Sequence, residues 1–360
     1  MNIQTEIEVA VVGAGPIGIE TAIALKEAGV ETILFEAKQI GHSISKWPSN
    51  THFFSPPERI ALAGVPVQTL DQLSITGEEY LPYLRMLVEQ FDLRLHNYEP
   101  VLKIDQVDSG FLLHTRPKSG DRFYRCRFIV ATTGGAASPR MLGIPGESLP
   151  HVHHRFRGPH PYFQTHVLIV GGRNSAVESA LRCWRAGARV TISYRRAMFD
   201  LDTIKRHLSY DILTRIERDE IFFLPSTIPV EITPGNVVLA PTNSRGMPKD
   251  SRTNHEADFV LLMTGFAADT SLLEKAGVKI FEETQAPVHN TKTMETNVPG
   301  IFVAGTLVSG SQWRVKHAIY NSHDHVARIV KVITGQITSR LGTVVTRNSD
   351  VSWEEVIGNQ

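Results

Sequence analysis

Apolar positions gather in short runs, and the most telling runs end in glycine. Val9-Ala10-Val11-Val12 is unbroken, as in a strand buried on both faces, and Gly13-Ala14-Gly15-Pro16-Ile17-Gly18 follows at once. The pattern then changes to helical spacing from Ile19 to Ala28, with Ile19, Ala22, Ile23 and Leu25 apolar. Gly29 stands where a helix C-terminal glycine belongs. Thr32 to Phe35 reads as a second strand, ended by Glu36. Strand, glycine turn, helix, strand and acid within about 30 residues is a dinucleotide-binding arrangement. The order returns at Val167. Leu168-Ile169-Val170 enters Gly171-Gly172-Arg173-Asn174-Ser175-Ala176, a helix follows, and the strand Thr191 to Tyr194 ends in Arg195-Arg196.

Other elements fill the space between these units. His42 to Pro57 is a long loop rich in Ser, Pro and Asn that carries Trp47, Phe53 and Phe54. Thr76-x-x-Glu79 is a capping box, opening a helix with the apolar stripe Leu81, Leu84, Val88 and Phe91. Residues 101–127 alternate and turn at Asp108-Ser109-Gly110 and Ser119-Gly120-Asp121, which predicts an antiparallel meander. Residues 128–131 form a buried strand leading into Thr132-Thr133-Gly134, and residues 134–161 are a crossover rich in Gly and Pro. Residues 259–263 lead into Thr264-Gly265, residues 300–304 into Gly305-Thr306, and residues 318–333 read as a helix. The expected fold is α/β, with two Rossmann-like dinucleotide-binding domains of three-layer ββα type. One domain takes residues 1–155 and 268–360; the other, 156–267, is inserted into it.

Composition narrows the function classes. Lys plus Arg and Asp plus Glu both number 37, so nothing in the charge points to nucleic acid or an anionic membrane surface. No apolar run is long enough to span a bilayer, and the polar N-terminus lacks the pattern of a signal peptide. Two cysteines, Cys126 and Cys183, cannot form a disulfide framework, and a cytoplasmic setting is expected.

In the first loop Gly13 permits the tight turn, Gly15 lets the backbone approach a pyrophosphate, and Gly18 lets helix and strand pack closely. The helix N-terminus offers free N–H groups to phosphate. Glu36 is placed to accept hydrogen bonds from the ribose hydroxyls. In the second loop Arg173 replaces the middle glycine and Ala176 the third. The pair Arg195-Arg196 lies about 20 residues on, where a carboxylate would repel a ribose 2′-phosphate and guanidiniums would bind it. This predicts NADPH in preference to NADH.

Histidines 151, 153, 154 and 160 have no Cys or carboxylate at ligand spacing, so a surface loop is expected and no metal site. Cys126 and Cys183 read as buried packing residues. Lys316-His317-Ala318 opens the predicted last helix, and a helix N-terminus with a cation could stabilise negative charge on a reduced flavin; an ordinary solvated helix start is the equal alternative. Trp47, Phe53 and Phe54 could stack near the flavin or fill core under their loop.

Taken together, Gly-x-Gly-Pro-x-Gly, the acid, Ala-Thr-Thr-Gly, Gly-Gly-x-Asn-Ser-Ala, Arg-Arg, Thr-Gly-Phe and Phe-Val-Ala-Gly resemble the thioredoxin reductase-like flavoproteins. Within them the chain resembles the bacillithiol disulfide reductase-like (YpdA) family. The narrower resemblance rests on residues 46–55, 171–176 and 293–305 and on Ile319-Tyr320-Asn321-Ser322, and it reaches to about residue 333. It implies FAD, NADPH, a cytoplasmic homodimer or homotetramer, and reduction of a low-molecular-weight thiol disulfide. The cofactor residues expected on this basis are Gly13, Gly15, Pro16, Ile17, Gly18, Glu36, Ala37, Lys38, Ser43, Trp47, Asn50, Thr132, Thr133 and Gly134 around FAD. Gly305, Thr306, Lys316 and His317 join them, and Gly171, Gly172, Arg173, Asn174, Ser175, Arg195, Arg196, Thr264 and Gly265 complete the set.

Two departures bear on function. Thioredoxin reductases carry Cys-x-x-Cys in the inserted domain, and none is present here. Family members thought to reduce bacillithiol disulfide carry a cysteine in the first glycine loop, where this chain has Ile17. A mixed disulfide cannot form there. Thr306 also stands where an Asp often follows the last Ala-Gly, which weakens an expected ribityl contact.

The expected activity is an NADPH-dependent flavin oxidoreductase that passes electrons to a small-molecule or small redox-protein acceptor. A flavin monooxygenase, a ferredoxin or flavodoxin reductase, and a redox-sensing binding module are the competing readings. Trp353 in the tail is the aromatic expected over the flavin in the ferredoxin reductase case.

Overall fold

In the computed structural model the described residues are 5–311, 317–338 and 340–342. The chain begins with β1 (Thr5–Val12), α1 (Pro16–Glu27) and β2 (Thr32–Glu36). Helix α1 starts three residues earlier than its apolar spacing predicts. Pro16 sits at the helix start, where a missing N–H costs nothing, so the last glycine of the loop falls inside the first turn.

Helix α2 (Gly77–Gln90) has the predicted capping box. The Thr76 hydroxyl accepts from the Glu79 N–H at 3.2 Å, and the Glu79 carboxylate accepts from the Thr76 N–H at 2.9 Å. Its buried face differs from the expected stripe. Tyr80, Tyr83, Leu84 and Leu87 are buried, while Leu81, Val88 and Phe91 lie half-buried at the core edge. The tyrosines can turn inward because each hydroxyl finds a carbonyl, Tyr80 that of Ile60 at 2.6 Å and Tyr83 that of Val65 at 2.7 Å.

Then come β3 (Leu95–Asn97), β4 (Val101–Val107), β5 (Gly110–Thr115) and β6 (Arg122–Ala131). The predicted meander and the strand after it share β6. Residues 122–126 pair antiparallel with β5, whereas residues 124–131 pair parallel with β1. A linker follows, containing β7 (Ser138–Pro139) and β8 (Val152–His153).

The second unit runs β9 (His166–Val170), α3 (Asn174–Arg185), β10 (Arg189–Tyr194), α4 (Arg206–Glu217) and β11 (Phe222–Pro225). It continues with β12 (Thr227–Thr233), β13 (Asn236–Pro241), β14 (Thr253–Glu256) and β15 (Phe259–Leu262). The chain returns through β16 (Phe266–Ala267), α5 (Ser271–Lys275), β17 (Ile280–Phe281), β18 (Ala286–Pro287) and β19 (Ile301–Val303) to α6 (His323–Thr334).

Two large sheets result. The first is ordered β3-β2-β1-β6-β5-β4, with β19 also paired to β6. The second is ordered β11-β10-β9-β15-β8. In β9, Val167 and Ile169 face one core cluster with the helices, while Leu168 and Val170 face another with β12 and β13. Successive strand residues point to opposite faces, so one apolar run serves both layers. The second unit is thus a helix layer, a five-stranded sheet and a three-stranded sheet. Strand β8 lies just ahead of residue 156 and still adds to the edge of this sheet. The two linkers meet as a ladder, with Phe266 opposite Pro139 and Ala267 opposite Ser138.

Candidate functional site

Strands β1 and β9 both end in glycine at one cleft, which has a volume of about 2100 Å³. Carboxyl ends of parallel strands at a change of strand order are where open α/β sheets bind ligands. The cleft is lined by nine Lys or Arg against six Asp or Glu, in a chain of zero formal charge. That local excess suits the phosphates of dinucleotides.

The first cradle is shaped by crowding on one side and open space on the other. Gly13 has φ +111°, and a Cβ there would lie 2.7 Å from the Thr132 carbonyl oxygen. A Cβ on Gly18 would lie 1.9 Å from the Gly13 oxygen, so the third glycine is a packing residue and does not line the cleft. Gly15 has nothing within 4 Å of the same position, and it faces the cleft. Helix α1 has no side-chain cap, which leaves first-turn N–H groups for an anion. Glu36 closes the turn, its two carboxylate oxygens accepting from the N–H groups of Ala14 and Lys38, both at 2.8 Å. These features fit the pyrophosphate and ribose of FAD.

The rest of the first cradle follows the expected set with two exceptions. Pro16, Ile17, Ala37, Lys38, Ser43, Trp47, Thr132, Thr133, Gly134, Gly305 and Thr306 line the cleft. Thr306 Oγ1 accepts from the Gly135 N–H at 3.0 Å, joining the two strand-end loops. Ile17 lies under Gly305, 3.4 Å from where a Cβ would be. Asn50 lies outside the cleft; its N–H donates to Glu78. Lys316 falls outside the described residues.

His317 lines the cleft but does not open a helix. A 3-10 turn, Ile319–Asn321, comes first, and α6 begins at His323. The Ala318 N–H is already capped by Asn321 Oδ1 at 2.8 Å, so the turn starts with a satisfied donor. The α-helix therefore begins six residues beyond His317, later than its sequence predicts. The His317 ring contacts Ser309 and lies tilted against His325 with centroids 4.9 Å apart. His325 is buried and held neutral. Burial first, then the charges of His317, Arg328 and His289, push its pKa down to about 3. Its Nδ1 accepts from the Gly305 N–H at 3.2 Å, which fixes the loop that packs on Ile17.

The loop aromatics combine the two expected roles, since all three line the cleft. Phe53 packs between Trp47 and Tyr80, with centroids 4.7 Å from each, and belongs to the core edge. Trp47 and Phe54 reach the cleft and are partly exposed.

The second cradle differs in detail. A Cβ on Gly171 (φ +140°) would lie 2.5 Å from the Met263 carbonyl oxygen, and one on Gly172 would enter the Tyr194 ring. Both glycines are therefore demanded by packing. Arg173 stands at the uncapped start of α3 with its side chain exposed. Both ends of the Asn174 amide are taken by residues 203–205. Ser175, Thr264 and Gly265 line the cleft, as do Arg195 and Arg196 at the end of β10. Thr242 Oγ1 holds the Arg195 carbonyl at 2.9 Å, and Arg196 pairs with Asp200 at 3.6 Å. The open helix start and the arginine pair fit a phosphorylated dinucleotide.

Sequence reading missed several cleft residues, among them Arg140, Arg155, Lys205 and Met247. All lie in crossovers or turns, where no periodicity marks them.

No thiol serves this site. Cys126 and Cys183 are both buried, and burial pushes each thiol up to about 12. Among the described residues no group of three His, Cys, Asp or Glu could hold a metal. His160 is exposed as a surface loop predicts, but His151, His153 and His154 are half-buried, and His153 lies in β8 and bonds the Tyr162 hydroxyl at 3.0 Å.

Two dinucleotide cradles on separate sheets, opening on one cleft, define a flavin and pyridine nucleotide oxidoreductase. The chain belongs to the pyridine nucleotide-disulphide oxidoreductase family, whose model matches residues 10–305. It is 33% identical to bacilliredoxin reductase Bdr of Bacillus subtilis, over 84% of this chain and 90% of that protein. The solved bacillithiol disulfide reductase Bdr (YpdA) of Bacillus cereus superposes with a TM-score of 0.85 at 30% identity, covering 92% of this chain and 99% of that one. A ferredoxin–NADP reductase of Ignicoccus hospitalis is 26% identical over 82% of this chain and 88% of its own length. The chain is a flavoprotein oxidoreductase that uses FAD and a pyridine nucleotide. Among the described residues no helix is long and apolar enough to cross a membrane.

Proposed function

We propose that this enzyme takes reducing equivalents from NADPH and delivers them from the flavin straight to an acceptor, with no enzyme thiol in between. Bound FAD supplies the hydride-accepting ring. The residues around it position, exclude water and hold charge. Residues 1–155 and 268–360 would hold FAD, and 156–267, together with the edge strand β8, would hold NADPH. Arg195 and Arg196 would select NADPH through its 2′-phosphate, while Ile17 and Gly305 would form an apolar floor below the flavin.

The observation that carries this reading is the pair of buried thiols. A thiol near 12 has almost no thiolate at neutral pH, and neither cysteine lines the cleft. The acceptor that the named relatives support is a low-molecular-weight thiol disulfide such as bacillithiol disulfide. The ferredoxin–NADP reductase relative favours a small redox protein as the second reading. A cytoplasmic homo-oligomer accompanies either.

Anaerobic mixing with NADPH should bleach the flavin, and adding bacillithiol disulfide should restore its colour. The double variant C126S/C183S should do both at wild-type rates. An unbleached flavin would sink the hydride-transfer reading. Loss of reoxidation in the double variant alone would sink the thiol-free one.

A further inference from the structure

Arg140 follows β7 in the linker, outside both glycine units, yet its backbone is fixed beside the second cradle. Its N–H donates to the Gly265 carbonyl at 3.0 Å, and its carbonyl accepts from Thr264 Oγ1 at 2.8 Å. Those residues continue β15, in which Leu262 lies opposite Val170 of β9. The next residue, Met263, presses its carbonyl against Gly171. Arg140 is thus anchored one strand away from the second glycine loop, on the side of β9 opposite to β10 and Arg195. Its half-buried side chain lines the cleft.

Three guanidiniums from three distant segments converge here. Arg140 is less basic than usual, first because it is partly buried and then because Arg195 and Arg173 face it. Arg140, Arg173 and Arg195 all line this cleft, so an anionic ligand bound there would be shared by the three guanidiniums. The pyrophosphate of a dinucleotide sits at the glycine loop and helix start, and the adenosine ribose at the end of the second strand. Arg195 stands at the ribose end, Arg140 at the loop.

We propose that Arg140 is a specificity-neutral contact for the nicotinamide nucleotide, placed on its pyrophosphate and supplied by the linker. This rests on the NADPH assignment above. The contact would serve NADPH and NADH equally, because the pyrophosphate is common to both. It would also tie nucleotide binding to the paired linkers, since the backbone of Arg140 continues the β7–β16 ladder.

Calorimetric titration of the FAD-loaded oxidised protein with NADP⁺ and with NAD⁺ tests it. R140Q should weaken both by about tenfold, the scale of one charge-assisted contact, with their ratio kept. R140K should recover part of the loss. R195A should instead lose NADP⁺ selectively. Wild-type affinities in R140Q would overturn the proposal, as would a loss confined to NADP⁺. Flavin loss in both Arg140 variants would also overturn it, marking the residue as structural. Wild-type protein that binds neither nucleotide would overturn the nucleotide assignment itself, and this contact with it.

Discussion

A glycine whose missing Cβ leaves a void and a glycine whose missing Cβ averts a collision do different work. Gly15 is the first kind, with nothing within 4 Å, and the free space is where a pyrophosphate can approach. Gly18 and Gly172 are the second kind; one packs against the Gly13 carbonyl and the other against Tyr194. The spacing of the first loop made this division legible, because each position has a distinct steric demand. In the second loop Arg173 takes the open position, so a nucleotide bound there would meet a cation in place of bare backbone. The arginine pair at the end of β10 carries its own expectation. Arg195→Ala should raise the KM for NADPH at least about tenfold more than that for NADH, since one guanidinium–phosphate contact is lost with the first substrate only. Initial-rate kinetics with both nucleotides decide it. Equal increases would remove Arg195 from the 2′-phosphate. Arg140 was not legible, because nothing in a Gly- and Pro-rich crossover says which residue the fold will pin beside a distant strand.

Among the elements, helix starts differ in how they are closed. Helix α2 closes its own N-terminus with Thr76 and Glu79, while α1 and α3 leave theirs without a side-chain cap and turn them to the cleft. The capping box could be read from four residues. The true start of α6 could not, because Ile319–Asn321 continues an apolar pattern but closes as a 3-10 turn. What fixes α6 is a partner far away in sequence. His323, its first residue, bonds Glu20 of α1 at 2.6 Å; Glu20 is fully buried and also accepts from the Ala63 and Gly342 N–H groups, both at 2.9 Å. Burial alone would lower the His323 pKa. The hydrogen bond and charge of Glu20, aided by the Arg59 backbone and Asp324, outweigh it, and the net shift is upward from 6.5. The folded state therefore holds this proton more tightly than the unfolded chain. The contribution is complete below the unfolded value and is lost as pH rises through the folded one. Melting of wild type and His323→Gln should differ most near about pH 6 and converge toward about pH 9. A gap that stays constant over that range would mean that the pair is not ionic.

In the whole molecule, two units share one cleft, and polar side chains bridge between them. Arg182 of α3 donates to the Ser49 carbonyl at 2.6 Å and to Thr51 at 3.4 Å, both in the long loop of the first unit. Lys205 of the second unit also lies 4.8 Å from the centre of the Phe54 ring in the same loop. The paired linkers β7 and β16 are the covalent connection, and a two-residue ladder resists rotation weakly. Polar bridges of this kind permit relative motion of the units. The contacts from Arg182 to the loop hold the two cradles toward each other, the arrangement in which nicotinamide and flavin share a site. Removing them should cost about 1 kcal/mol, roughly a fivefold shift in the population of that arrangement. Arg182→Ala should therefore slow flavin reduction by NADPH about fivefold in anaerobic stopped flow, while the Kd for NADP⁺ stays unchanged. The split matters because Arg182 touches neither glycine loop. A fall in affinity would place it in the nucleotide site. A faster reduction would mean that these contacts hold the cradles in an unproductive arrangement, from which the second unit must turn before the hydride can pass.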